Sequence, residues 1–337
     1  MARRAEARTA LLTRCGWGGA QVTPMPGDAS QRAYFRIRRG SESAVLMDAN
    51  GQSRAELQAF ITIARHLLSL GLSAPRILEQ DLEGGFLLLE DFGDLVFDLL
   101  MEQDPSRQFS LYSSATDALI ALHSHPAPSH LAVLDPTRMV DIARMVVDWY
   151  IPGCGETWSA EAVLPALAEA AERLVSGPTV LMLRDYRAGN LNWLPTRQGV
   201  AQVGLLDFQD AMAAHPAYDL VSALQDARHD VPAPLEAAMI TRYCQATALP
   251  EAEFRAAYAL LGTQRALRIL GIFARLSLHS AKPGYLVHAP RVYGQLQRNL
   301  AHPALSHLAD LCHRLIPEPT QARLNRIKDL CGTIPTP

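Results

Sequence analysis

The feature that most narrows the fold is a change of hydrophobic period near residue 90. Before it, Ala33-Tyr34-Phe35-Arg36-Ile37-Arg38 alternates apolar and charged residues, the signature of a half-buried strand. After the Arg39-Gly40-Ser41 turn, Ala44-Val45-Leu46-Met47 reads as the returning strand of a hairpin. From Arg54 to Leu70, Leu57, Phe60, Ile61, Ala64, Leu67 and Leu68 fall three and four apart, which predicts an amphipathic helix stopped by Gly71. Pro75 to Leu78 and Phe86 to Leu89 read as two more strands joined across Glu83-Gly84-Gly85. Residues 3 to 14 fit a short helix ended by Gly16-Trp17-Gly18-Gly19.

Beyond Asp94 the pattern turns helical: Tyr112–His123, Met139–Tyr150, Ala160–Val175, Tyr218–Asp226, Leu235–Ala246, Glu251–Leu278 and Arg291–His302. Two apolar runs, Val180–Leu183 and Val203–Leu206, are too short for helices and read as isolated strands. The final stretch after Pro317 is expected to fray at its end. The expectation is an α+β chain of two lobes: residues 1–92, a small antiparallel sheet carrying one helix, and residues 93–337, larger and mainly helical.

Composition removes several function classes. With 337 residues, 49% hydrophobic, 19% charged and a net charge of -3, the chain has apolar surface enough to fold and no overall electrostatic grip on nucleic acid. No run approaches the roughly 18 apolar residues of a membrane span, and the Arg- and Ala-rich start lacks a signal peptide's apolar core. The five cysteines are far apart with no Cys-x-x-Cys, so neither a zinc knuckle nor a disulfide framework is indicated. A cytoplasmic protein with no nucleic-acid or membrane partner is expected, its oligomeric state left open.

The polar residues of interest collect at the ends of the two short strands. Val180–Leu183 runs into Arg184-Asp185-Tyr186-Arg187-Ala188-Gly189-Asn190, and Val203–Leu206 runs into Asp207-Phe208-Gln209-Asp210. Asp-x-x-x-x-Asn followed 17 residues later by Asp-Phe matches the protein-kinase order of catalytic Asp, metal-binding Asn and metal-binding Asp. Transfer of a γ-phosphoryl group needs an aimed acceptor hydroxyl and cations that neutralise the phosphate oxygens. Hard Mg²⁺ selects oxygen ligands such as the Asn190 carbonyl and the Asp207 carboxylate, which leaves Asp185 to receive or orient the acceptor proton.

Leu183-Arg184-Asp185-Tyr186-Arg187-Ala188-Gly189-Asn190-Leu191, Gly204-Leu205-Leu206-Asp207-Phe208-Gln209-Asp210 and Tyr218-Asp219-Leu220 resemble segments of the aminoglycoside phosphotransferase and choline kinase-like family, which has the protein-kinase fold. Gly27-Asp28-Ala29-Ser30, Tyr34-Phe35-Arg36, Val45-Leu46-Met47-Asp48-Ala49, Phe86-Leu87-Leu88-Leu89-Glu90-Asp91 and Gly271-Ile272-Phe273-Ala274-Arg275-Leu276 are more closely similar to the bacterial anomeric kinases of N-acetylmuramate and N-acetylglucosamine. The resemblance spans roughly residues 15 to 300. It implies ATP and Mg²⁺ as cofactors, Asp28 to Tyr34 with Ser30 as the phosphate-covering hairpin, Leu89, Glu90 and Asp91 in the hinge that pairs with adenine, Glu56 on the N-terminal lobe's helix, and Asp219 bracing the catalytic loop. One departure is clear: Val45-Leu46-Met47-Asp48 stands where a protein kinase carries its phosphate-binding lysine, and the first lysine in the chain is Lys282. Arg32 or Arg36 is the candidate replacement, or there is none.

Several residues keep two readings. Asp210 is a substrate or metal contact or an ordinary turn carboxylate, and Glu56 is a cleft residue or a solvated helix face. His123 and His125 at a helix end read as caps rather than zinc ligands. Arg187 is a candidate substrate contact, and Trp149 with Arg265, Arg268, Arg275, Lys282, Tyr285 and Arg291 forms either a sugar or carboxylate pocket or core aromatics beside a solvated basic face. The expected function is phosphorylation of the anomeric hydroxyl of N-acetylmuramate or N-acetylglucosamine in peptidoglycan recycling. The competing readings are a kinase of another alcohol, such as an aminoglycoside or choline-like amine, and a nucleotide-binding pseudokinase regulator.

Overall fold

The computed structural model describes residues 2–26, 32–49 and 51–334. In chain order, helix α1 (Ala2–Arg14) leads to strands β1 (Gln21–Pro24), β2 (Ala33–Arg39) and β3 (Glu42–Asp48), helix α2 (Arg54–Ser69), and strands β4 (Ile77–Asp81) and β5 (Phe86–Glu90). Helices α3 (Phe97–Gln103), α4 (Gln108–His123) and α5 (Pro136–Ala143) follow, then a π-helical turn, Val146–Tyr150, α6 (Ile151–Gly153) and α7 (Val163–Leu174). Four short strands come next: β6 (Val180–Met182), β7 (Leu191–Trp193), β8 (Val203–Leu205) and β9 (Met212–Ala214). The chain closes with α8 (Ala217–Leu224), α9 (Ala233–Thr247), α10 (Glu251–Leu278), α11 (Ala289–Leu300), α12 (Ser306–Leu315) and α13 (Gln321–Asp329).

Backbone contacts divide the chain into two compact units, one made of the chain up to Leu122 with Ala188–Ala211, the other of His123–Arg187 with the chain from Met212 onward. The sequence places a boundary at residue 92, whereas packing carries residues 93–122 and 188–211 with the sheet. The reason is the β7–β8 pair: Gly204 bridges Ser73, Asn192 bridges Val96, and the Ser73 hydroxyl donates to the Ala201 carbonyl at 2.6 Å.

In the first unit the five-stranded sheet has the order β1-β2-β3-β5-β4 with every neighbour antiparallel. β3 and β5 are central and buried on both faces, so β5 reads as an unbroken apolar run rather than an alternation. Leu11 and Leu12 of α1 close one face by clustering with Ile37, Ala44, Leu46, Phe86 and Leu88, each leucine contributing about 1.5–3 kcal/mol on burial. Charge fixes the same helix: Arg4 donates to the buried Asp48 at 2.8 Å and lies 3.9 Å over the Phe86 ring, while Arg14 pairs with Asp81 at 2.9 Å. Met47 and its register partner Leu87 point to the opposite face, both buried.

In the second unit the 28-residue α10 is buried along most of its length and is packed by α5, α7, α8, α9 and α11. The single helix expected over Met139–Tyr150 is two pieces, because α5 ends at Ala143 and the chain rewinds as the π-helical turn. Gly271 explains how that turn comes so close to α10: a Cβ there would lie 2.2 Å from the Met145 backbone carbon. The two short apolar runs are not isolated strands. β6 pairs with β9 and β7 with β8, partners of only three residues each that carry too little pattern to be read beforehand. No helix among the described residues is long and apolar enough to cross a membrane.

Candidate active site

In the helical unit, β6 leads straight into the loop that carries Asp185. Arg184 sits in the left-handed region at φ 73°, an uncommon conformation for a non-glycine residue. Asp219, in the first turn of α8, accepts hydrogen bonds from the Leu183 amide at 2.5 Å and the Arg184 amide at 2.9 Å. The Ser222 hydroxyl, one helical turn on, donates to the Arg184 carbonyl at 3.3 Å. The Asp185 amide donates to the Leu183 carbonyl at 2.9 Å, and the Arg187 amide to the Asp185 carbonyl at 3.0 Å, which winds the loop tightly. Asp185 and Arg187 remain partly exposed while Tyr186 between them is buried. Burial pushes the Asp219 carboxyl up to about 7, against the pull of its two backbone donors and of Arg265.

In the sheet unit, a turn at Ala188–Asn190 enters β7 and β8 delivers Asp207, also left-handed at φ 60°. The buried Asn190 amide lies 3.4 Å from Asp207 Oδ2, and Gln209 Nε2 donates to Asp207 Oδ1 at 2.9 Å. Arg32 Nη1 stands 4.0 Å from Asp207 Oδ1; its side chain is 6% exposed, and its Nε donates to Gln52 at 2.8 Å. Phe208 is fully buried and stacks on Phe60 of α2 with ring centroids 4.9 Å apart, anchoring the motif from behind. The Asp207 side chain is 44% exposed, so the carboxylate stays accessible.

The two hairpin arginines have different surroundings, being about 13 Å apart along an extended strand. Arg32 belongs to the Asp207 cluster. Arg36 pairs instead with Asp91 at 2.8 Å and Asp94 at 2.7 Å. In the expected hinge, Leu89 is buried, and Glu90 is held by Arg197 at 2.6 Å and Arg76 at 3.2 Å. Ser30 lies outside the described residues. Glu56 forms a capping box with Ser53, accepting from its amide at 2.7 Å, so its carboxylate serves the start of α2 and titrates below the usual range because of those bonds. Met47, where a lysine would stand, is 1% exposed.

The expected sugar-pocket residues are largely committed elsewhere in the helical unit. Trp149 is buried in the π-helical turn with its ring 6.2 Å from that of His279. Arg265 is buried and donates to the Arg184 carbonyl, and Arg291 pairs with Asp230 at 2.6 Å. Asp210 is exposed in the turn after Asp207. His123 is not a solvent-facing cap: it is half-buried beside Tyr243, ring nitrogen to hydroxyl 2.8 Å, and desolvation lowers it to about 3. Gln52, Gln209 and Ser222 support the motifs through their bonds to Arg32, Asp207 and the Arg184 carbonyl, and the sequence reading gave none of them a role. Of these three, Gln209 alone carried a signal, since it lies inside the Asp207-Phe208-Gln209-Asp210 motif.

The model of the phosphotransferase enzyme family, APH, matches residues 21–261. The chain belongs to this family. A Caulobacter vibrioides protein named N-acetylmuramate/N-acetylglucosamine kinase is 36% identical, the alignment covering 94% of this chain and 98% of that protein. A Pseudomonas aeruginosa protein of the same name is 34% identical over 89% of this chain and 91% of its own length. Among solved structures, the choline kinase LicA from Streptococcus pneumoniae superposes with a TM-score of 0.60 at 14% identity, covering 90% of this chain and 99% of that one. An aminoglycoside phosphotransferase solved with streptomycin and ATP gives 0.57 at 16% identity, covering 79% of this chain and 89% of its own. The expected kinase-like α+β fold is therefore the fold of this phosphotransferase, an enzyme that phosphorylates a small molecule.

Proposed function

We propose that this phosphotransferase uses ATP and Mg²⁺ to phosphorylate the anomeric hydroxyl of N-acetylmuramate or N-acetylglucosamine. The observation that carries the substrate is the near full-length similarity to relatives named for those two sugars. In this reading Asp185 orients the sugar hydroxyl and accepts its proton as the new oxygen–phosphorus bond forms and the bond to the departing ADP breaks. Asn190 and Asp207 fit a hard divalent cation, since each side chain carries an oxygen, the Asn190 amide group reaches Asp207 (Nδ2 to Oδ2, 3.4 Å), and the carboxylate is accessible. Bound there, Mg²⁺ would neutralise charge on the β and γ phosphates.

Arg32 supplies the cation that Met47 does not, and the backbone of Leu89–Asp91 pairs with adenine, so residues 1–92 serve the nucleotide and 93–337 the catalytic loop and sugar. Arg187 and Asp210 are the motif residues that meet the acceptor in this reading. Cytoplasmic location belongs to the same reading, because that is where ATP is supplied, and the product enters the recycling of wall sugars. An ADP-release assay with N-acetylmuramate, N-acetylglucosamine, kanamycin and choline in parallel tests the substrate. Phosphorus and proton NMR should show a phosphate coupled to the anomeric proton. A 6-phosphate, or turnover with kanamycin or choline alone, contradicts the proposal.

A further inference from the structure

The helical unit contains a buried cation to which the proposed reaction assigns no role. Arg265 lies on α10, 81 residues along the chain from Arg184, and is 6% exposed. Its Nη1 donates to the Arg184 carbonyl at 3.4 Å, its guanidinium lies 5.3 Å from the centre of the Tyr218 ring, and its charge opposes the buried Asp219. Its Nε is buried without a hydrogen-bond partner among the described residues. Burying a guanidinium with its hydrogen bonds this incompletely made is costly, and its α10 neighbours Ala266 and Leu267 show what a space-filling position there holds.

What the arginine holds is one end of a rigid plane. The Arg184 carbonyl and the Asp185 amide belong to a single peptide unit, which is planar and turns as a body. Arg265 and the Ser222 hydroxyl grip the carbonyl end, and the Leu183 carbonyl receives the amide end at 2.9 Å. Relaxation of Arg184 out of its left-handed φ would rotate that plane and swing the Asp185 side chain with it. We propose that Arg265 is a positioning residue: by fixing the Arg184 carbonyl it aims the Asp185 carboxylate at the acceptor hydroxyl, without itself touching the sugar. The inference rests on Asp185 being the proton acceptor.

The test uses the full chain and the amino sugar on which the wild type turns over, with Arg265→Met, Arg265→Lys, Ser222→Ala, the Met/Ala double variant and Asp185→Asn measured side by side. Arg265→Met should keep a cooperative thermal transition yet lose about 30- to 100-fold in kcat, with KM for sugar and ATP within about twofold, the cost of a misaimed group. Arg265→Lys, which keeps the charge but not the fork, should fall between that variant and wild type. Because Arg265 and Ser222 share one acceptor, the double variant should lose at least threefold less than the product of the single losses; strict multiplicativity contradicts the proposal. So does wild-type kcat in Arg265→Met, or a raised sugar KM at unchanged kcat, which would make Arg265 a sugar contact. If Arg265→Met does not fold, Arg265→Lys decides: lowered kcat at constant KM supports the proposal and wild-type kcat overturns it. Asp185→Asn separates the two layers, since its retaining full kcat defeats the reading of the site, whereas an inactive Asp185→Asn beside a fully active Arg265→Met defeats only the role of Arg265.

Discussion

The segments after β6 and β8 both end in an aspartate, and the fold treats them differently. The loop before Asp185 is clamped from behind: Asp219 takes two backbone amides, and Ser222 and Arg265 take the Arg184 carbonyl. Asp207 is open, 44% exposed, with its Asn190 and Arg32 neighbours at 3.4 and 4.0 Å. In the proposed reading the first handles one proton and must be aimed, because transfer falls steeply with misalignment, and a clamped loop suits that. In the same reading the second shares a cation with phosphates and water, and needs access more than rigidity.

Asp207→Ala should have the largest effect, a loss of turnover of about 1000-fold or more with the thermal transition intact, because an exposed carboxylate contributes little to packing. Near wild-type turnover of the folded variant would remove the metal assignment. Asp185→Asn should cost roughly 100-fold in kcat with little change in sugar KM, as for a contact made mainly in the transition state. Equal losses in both parameters would make Asp185 a binding group and erase the contrast between the two segments.

Smaller effects sharpen the same contrast. Arg32→Ala should weaken nucleotide binding about tenfold in a fluorescent-ADP titration, while Arg36→Ala, which breaks the pairing with Asp91 and Asp94, and Arg8→Ala should leave it nearly unchanged. If the three behave alike, Arg32 does not stand in for lysine. The smallest effect concerns the clamp. Asp219 titrates at about 7 in the fold against 3.8 as the ordinary value, so between roughly pH 4 and 7 the native state holds a proton the unfolded chain has released. This group therefore makes stability fall as pH rises through that window. Urea midpoints of Asp219→Asn should decline less from pH 5 to 8 than those of the wild type, and parallel curves would contradict the buried carboxylate.

The site was more legible in the sequence than its support. Asp185, Asn190 and Asp207 stand out because short apolar runs deliver them at fixed spacing, a local pattern. Glu56 was ambiguous, yet Ser53 three residues earlier is a capping-box signal that decides its structural part. β7 and β9 were missed because three residues hold no period, and their pairing is defined only by their partners. Trp149 was open to a sugar-stacking or a core role, and the structure buries it in the π-helical turn.

Chain order alone carried the kinase-like arrangement, the change from sheet to helices near residue 90, and the three oxygen-bearing candidates for the site, since each depends on neighbours a few positions away. Tertiary structure decided which arginine meets Asp207 and which meets Asp91, and that Arg265 is buried against the Arg184 carbonyl rather than lining an open basic face. Those outcomes depend on contacts such as Arg184 with Arg265, 81 residues apart. A guanidinium's partner is chosen by which oxygen the folded chain brings within reach, and no local pattern of residues encodes that distance.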